Sequence, residues 1–292
     1  MKTKMNRIKQ SFIIILGAIL LLCAACRKTD APEELVVCTT YPVRLLTLEL
    51  MAGAENPPEI ALLVPPGTGC PHHFSLPTRE KLRIASAKKV LLLRNGGGVD
   101  DSILHAAKNA NPDLTDGNGG ADFSVHADPH YFSAPGTAAQ MIRNLAEHLK
   151  KFDPANGKIY EDNAERLTAE LAELSRLSRN IKKVKVVAMH NTLANLAAEC
   201  GLDLRAVVFP GHVSELPPAE LNRLIRLIRE EQIPYLLTEP QTPERFVKLL
   251  QQETGIRVIL LDPVATGPAD ATRGYLTGKM RHNLKILERE LQ

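Results

Sequence analysis

Three histidines, His72, His130 and His190, each stand just past an apolar run and are separated by roughly sixty residues, and Asp262 closes the series. Spacing this wide excludes a local metal hook. It fits a site gathered between the layers of a fold, each donor delivered by the end of a different strand. Three neutral imidazoles and one carboxylate make a four-coordinate set suited to Zn2+, the Asp adding charge neutralisation. Any one of these His, taken alone, reads as an independent loop residue; the placement of all four donors beyond strand ends favours shared ligation. Pro71 before His72 and Pro129 before His130 restrict the backbone where ligand loops have to be stiff. His212 and Glu239 compete for roles because both follow strands of the second half. Glu239 reads first as an acceptor that orients an imidazole and second as an alternative anionic ligand. Cys70 is an idle loop residue or an added soft ligand, and His73 neighbours His72. His126 edges the site, whereas His105, His148 and His282 sit in helical, polar surroundings and receive no role.

Strands and helices must hold these donors apart in sequence and together in space. Residues 35–38, 59–64 and 89–93 are nearly continuous apolar runs, the pattern of parallel strands covered on both faces. Helical stretches fall between and after them at 43–51, 77–84 and 101–110. The Gly/Asn/Asp-rich residues 111–120 predict a surface loop, and a weaker strand at 123–126 leads into Asp128-Pro129-His130. Ala138, Met141, Ile142, Leu145 and Leu149 then recur at helical spacing. Asp153-Pro154 offers an N-cap with Pro in the first helical position. Residues 155–181, with Leu167, Leu171, Leu174 and Leu177 three or four apart, predict one helix of about 27 residues, roughly 40 Å long. Strands resume at 184–189, 204–209, 234–237 and 257–261, with helices at 217–230 and 243–253; Thr242 is the expected N-cap of the latter and Gly255 its terminator. The expected class is α/β: two Rossmann-like βαβα lobes with four-stranded parallel sheets, residues 34–152 and 183–292, joined by a long rigid helix at 153–182. His72 and His130 then belong to one lobe, His190 and Asp262 to the other.

A chain of 292 residues with 44% hydrophobic content is long enough for two such lobes. Its first segment is a separate matter. Lys2, Lys4, Arg7 and Lys9 precede the apolar run 11–22, which ends in Cys23-Ala24-Ala25-Cys26, the pattern of an export signal over residues 1–25. Small residues followed by Cys resemble a bacterial lipoprotein cleavage box, with Cys26 as the lipidated first residue and 26–33 as a polar tether. The run is short of the ~20 residues a membrane span needs. Taking the signal's four basic residues from the 36 in the chain leaves 32 against 33 acidic, a net charge of −1. No basic stripe remains for nucleic acid. With 4% aromatics and no Trp, flat stacking surfaces for sugars or bases are also lacking. Beyond Cys26 only Cys38, Cys70 and Cys200 remain; one disulfide among them is possible, and Cys38 in its apolar run reads as a small buried residue.

Ordered along the chain are Val64-Pro65-Pro66-Gly67 with Pro71-His72-His73-Phe74, Asp128-Pro129-His130, Met189-His190-Asn191, Thr238-Glu239-Pro240-Gln241 and Leu261-Asp262-Pro263. In these residues the chain resembles the metal-binding lipoproteins of bacterial zinc and manganese ABC importers, the ZnuA/TroA type or cluster A-I substrate-binding proteins. The resemblance implies metal ligation by His72, His130, His190 and Asp262, with His72 preferred to His73 because it follows the Pro and stands two residues before an aromatic. His at position 190 implies zinc first and manganese second. It also implies a monomer, lipid-anchored to a bacterial membrane and facing the periplasm or cell exterior, that hands metal to a permease driven by a separate ATPase subunit. No GxxxxGK[ST] phosphate loop is present to supply that energy from this chain. Two other classes stand beside this expectation of a binding protein that is not an enzyme. One is a metal-dependent hydrolase with an open coordination position and Glu239 as general base, for which no HExxH helix is present. The other is an adhesin-like surface lipoprotein.

Overall fold

The computed structural model describes residues 32–67, 74–120, 128–209 and 216–292. In the first half, β1 (Glu34–Cys38), β2 (Glu59–Leu62), β3 (Lys89–Arg94) and β4 (Thr115–Asn118) form a parallel sheet in the order β2-β1-β3-β4. In the second, β5 (Lys185–His190), β6 (Asp203–Phe209), β7 (Tyr235–Thr238) and β8 (Arg257–Leu260) repeat that plan as β6-β5-β7-β8. Between and after the strands run α1 (Tyr41–Leu50), α2 (Thr78–Ser86), α3 (Asp101–Ala110), α4 (Pro135–Phe152), α5 (Gly157–Ser178), α6 (Ala194–Glu199), α7 (Pro218–Glu230), α8 (Glu244–Thr254) and α9 (Tyr275–Glu290). In each sheet the strand order reverses between the first strand and the third, so the carboxyl ends of β1 and β3, and of β5 and β7, open the two crevices where ligands of such sheets bind.

The pleat of the strands explains their continuous apolar runs. Val36, Cys38, Leu91 and Leu93 point into one core, while Leu35, Val37, Val90 and Leu92 point into another beneath Ile84 of α2 and Ile103 of α3. The second sheet divides the same way: Val186, Ala188, Tyr235 and Leu237 join the first of these cores, and Val187, Met189 and Leu236 meet Leu224 and Leu250 on the far side. One core is therefore common to both sheets. Leu145 and Leu149 of α4, Leu167, Leu171 and Leu174 of α5, and Leu284 and Leu287 of α9 fill it. Cys38 lies in this core with its thiol donating to Thr47 Oγ1 at 3.4 Å, and burial raises its pKa to about 12. Cys200 is likewise a buried free thiol.

Several sequence expectations change. The predicted loop at 111–120 contains β4, which pairs with β3 over Leu91–Arg94 despite its polar sequence TDGN. Gly117 makes this edge strand possible, since a Cβ there would lie 2.7 Å from the Leu93 side chain and 3.1 Å from the His148 ring. The strand expected at 123–126 lies outside the described residues. The connecting helix is shorter than predicted: Pro154–Asn156 form a 3-10 turn and α5 begins at Gly157 and spans 22 residues. Asp153 does not cap by its side chain; it accepts instead from Asn156 Nδ2 at 2.8 Å and the Tyr160 hydroxyl at 2.5 Å. Thr242 does not cap α8 either. Pro243 holds the N-cap position, and the Thr242 hydroxyl accepts from the Glu239 N–H at 3.3 Å. Gly255 ends α8 as expected, in a left-handed conformation at φ 70° that suits a residue without Cβ.

A buried carboxylate in the last turn of α1 ties three parts of the chain together. Glu49 accepts from the backbone N–H of Gly274, which caps the start of α9, and lies 3.4 Å from Arg166 Nη2 of α5 and 3.7 Å from Arg273 Nε. Its charge also suits the positive end of α9. The two arginines are half-exposed, which weakens their share. Glu49→Ala is expected to lower unfolding stability by about 1–2 kcal/mol in urea titrations, with Glu49→Gln losing less because it still accepts from Gly274.

Candidate metal centre

His130 follows the first half's strands in a turn built by its own sequence. Asp128 Oδ1 accepts the His130 backbone N–H at 2.8 Å and sits 2.7 Å from ring Nδ1, an Asx-type turn that Pro129 stiffens. The carboxylate holds the proton on Nδ1 and so leaves the lone pair on Nε2. Asn95, at the end of β3, donates its amide to the Pro129 carbonyl at 2.9 Å and anchors the turn from below. Behind Asn95, the fully buried Asp100 accepts from the Thr39 hydroxyl and the Asn95 N–H, both at 2.7 Å, so the crevice between β1 and β3 is braced by a polar network. Burial is the main influence on Asp100 and raises its pKa against those hydrogen bonds.

His190 is the last residue of β5 and meets His130 from the other half. The two ring centroids are 5.6 Å apart with planes at 73°. His190 Nδ1 is 2.7 Å from Thr192 Oγ1, whose hydroxyl in turn donates to Glu239 Oε1, and Glu239 itself lies 3.5 Å from Nδ1. Thr192 also donates its backbone N–H to Nδ1 at 3.3 Å, so its hydroxyl and its backbone both hold this side of the ring. Glu239 follows β7 directly and is buried, and its second oxygen accepts from Gln241 Nε2 at 2.6 Å. Burial raises its pKa most; the Thr192 bond and nearby His130 oppose that, and Asp262 adds to it.

Asp262 lies two residues beyond β8. Its N–H donates to Asn283 Oδ1 at 3.0 Å and its carbonyl accepts from Asn283 Nδ2 at 2.7 Å, so α9 fixes its backbone. Its Oδ1 accepts the Val264 N–H at 2.9 Å, and its Oδ2 pairs with Lys279 Nζ at 2.9 Å. That hydrogen bond raises the Lys279 pKa. Two contacts close the halves near this loop: the Tyr41 hydroxyl of α1 donates to the Pro268 carbonyl at 3.0 Å, and the Gly67 N–H donates to Thr266 Oγ1 at 2.8 Å.

Of the residues singled out by sequence, His130, His190 and Glu239 come together here, with Asp262 close enough to influence Glu239. His72, His73, Cys70, His126 and His212 lie outside the described residues, as does Cys26; the segment bearing His72 begins just after Gly67. Among the described residues no three His, Cys, Asp or Glu side chains converge closely enough to hold a metal ion. Sequence reasoning assigned no role to Asp128, Thr192, Lys279 or Asn283. Asp128 carried a usable signal, an Asp two residues before a His in a Pro-containing turn. Its Oδ2 also accepts from the Asn191 amide, which links the His130 turn to the residue after His190.

Two parallel sheets of matching strand order on one shared core, with imidazoles from both halves meeting beyond strand ends, define the two-sheet α/β fold of solute-binding proteins. The solute-binding protein FpvC from Pseudomonas aeruginosa, solved in complex with Mn2+, shares it at a TM-score of 0.78 and 24% identity, over 89% of this chain and 98% of that one. The model of the ZnuA family, zinc-uptake complex component A periplasmic, matches residues 36–290, and the chain belongs to this family. Its curated relatives include a manganese ABC transporter substrate-binding lipoprotein, PsaA, from Streptococcus mitis, 24% identical over 97% of this chain and 99% of the relative. Another is the high-affinity zinc uptake system protein ZnuA from Bacillus subtilis, 24% identical over 97% of this chain and 98% of the relative.

Proposed function

We propose that this protein captures Zn2+ outside the cytoplasmic membrane and delivers it to an ABC-type importer whose permease and ATPase are separate subunits. The observation that carries the reading is the meeting of His130 and His190 from opposite halves, each held at Nδ1 by a neighbouring residue, with Nε2 as the ligating nitrogen in this reading. His72 and Asp262 complete the donor set in this reading. The Gly67–Thr266 contact supports it, because it ties the start of the His72 segment to the Asp262 loop. The metal is cargo, and the donor chemistry suits it: imidazole favours zinc over manganese, and one carboxylate lowers the charge without excluding either. The family's name also speaks for zinc, while a relative named for manganese makes Mn2+ the second reading.

The lobes in this reading are residues 34–152 and 183–292, linked through 153–182, and the core they share limits how far they part. Export through residues 1–25 and lipidation at Cys26 would place the folded part, a monomer, on the outer side of the membrane. No enzymatic step belongs to this reading. Glu239, the one candidate general base, is buried with both oxygens engaged by Thr192 and Gln241. The test is competition titration of the mature chain with Zn2+ and Mn2+ against a chromophoric chelator. One Zn2+ per chain, bound at least about tenfold more tightly than Mn2+, is expected. Tighter Mn2+ binding would transfer the assignment to manganese.

A further inference from the structure

Tyr275, Lys279 and Asn283 occupy successive i, i+4 positions and so one stripe of α9. Two of them act on Asp262 from that stripe. Asn283 clamps the Asp262 backbone through both its N–H and its carbonyl, and Lys279 places its ammonium on Oδ2. The other oxygen is committed within the loop to the N–H of Val264, a buried β-branched residue held at φ 62°. Left-handed backbone is costly for valine, and with Oδ1 taken by that N–H one carboxylate oxygen is left for another partner. That oxygen is Oδ2, the one Lys279 occupies. Lys279 also lies 5.4 Å from the Tyr275 ring centroid, an ordinary reach for an ammonium above an aromatic face.

Resting on the reading of Asp262 as a metal ligand, we propose that Lys279 is a built-in competitor of the cargo, a residue that sets affinity and release rate. Its ammonium neutralises Asp262 when no metal is bound and returns to it as metal departs. Loading is then an exchange of cations at Oδ2: the metal ion takes the oxygen, and Lys279 swings away while keeping its Tyr275 contact. An ammonium left within a few ångströms of a divalent ion weakens binding by charge repulsion. The same repulsion, and the partner that Lys279 offers to Asp262 as the metal leaves, hastens release to a permease.

The experiment compares Zn2+ affinity and stopped-flow Zn2+ dissociation in the wild-type mature protein, Lys279→Met, Lys279→Arg, Asp262→Asn and the double variant Asp262→Asn/Lys279→Met. Methionine keeps the length and apolar stem of the side chain and removes the charge. The expected result is that Lys279→Met binds Zn2+ about tenfold more tightly and releases it about tenfold more slowly. Lys279→Arg is expected to stay within about threefold of wild type, and the Lys279→Met gain to shrink severalfold in the Asp262→Asn background, where only charge repulsion remains to be relieved. A purely structural role for Lys279 would shift melting and leave that coupling at zero. Unchanged or weakened binding in Lys279→Met, in a protein where His130→Ala abolishes binding, overturns the competitor and leaves the metal-capture reading standing. Absence of Zn2+ binding by the wild type overturns both.

Discussion

His130→Ala is expected to lower Zn2+ affinity by at least about a hundredfold and to leave the folded state intact. The substitution removes one of two imidazoles whose rings meet 5.6 Å apart. Its cost to stability is small because the ring's apolar contact is an edge-on one with Phe132 at 6.0 Å between centroids, and the turn keeps its backbone bond from His130 N–H to Asp128. Asp128→Asn is expected to fall between, at about tenfold to a hundredfold weaker binding, because it keeps the imidazole and alters the partner that orients the ring and joins it to Asn191. Chelator competition measures the affinities and thermal melting of the metal-free proteins checks the fold. Equal affinities for wild type and His130→Ala would remove His130 from the site.

Leu171→Ala is expected to have the largest effect on stability, a loss of about 3 kcal/mol in urea unfolding. Leu171 is fully buried on α5 in the core that reaches both sheets. The helix that bears it packs on α1 and α4 of the first half and α9 of the second, so truncation loosens packing between elements of both halves. A single cooperative transition moved to lower urea is the expected form of the result. Separation into two transitions would mean that the halves unfold independently and that the shared core does not couple them.

The strands at 35–38 and 89–93 were legible because both faces of each are covered, which forces apolar residues at every position. The strand Thr115–Asn118 was not, since an edge strand of Thr, Asp, Gly and Asn has the composition of a turn and is made possible by helix packing over Gly117. The break at Pro154–Asn156 was foreshadowed by Pro154, while the leucine spacing that followed gave no sign that α5 starts only at Gly157. Pleat alternation separates the faces of a strand but does not say that one face of each sheet opens onto the same core. At the site, strand-end placement brought His130 and His190 into view. The relay through Thr192 to Glu239 was partly legible in a carboxylate directly after β7. Lys279 and Asn283 were not, because their partner is the backbone and carboxylate of a loop some twenty residues earlier, a pairing fixed only by how α9 lies on the second half.

Anomalous diffraction at the zinc absorption edge from Zn2+-loaded crystals tests the central claim most directly. One peak is expected, at about 2.0–2.1 Å from Nε2 of both His130 and His190, with His72 and an oxygen of Asp262 completing the coordination. A peak remote from His130 and His190, or no peak in protein loaded to one equivalent, would contradict the account.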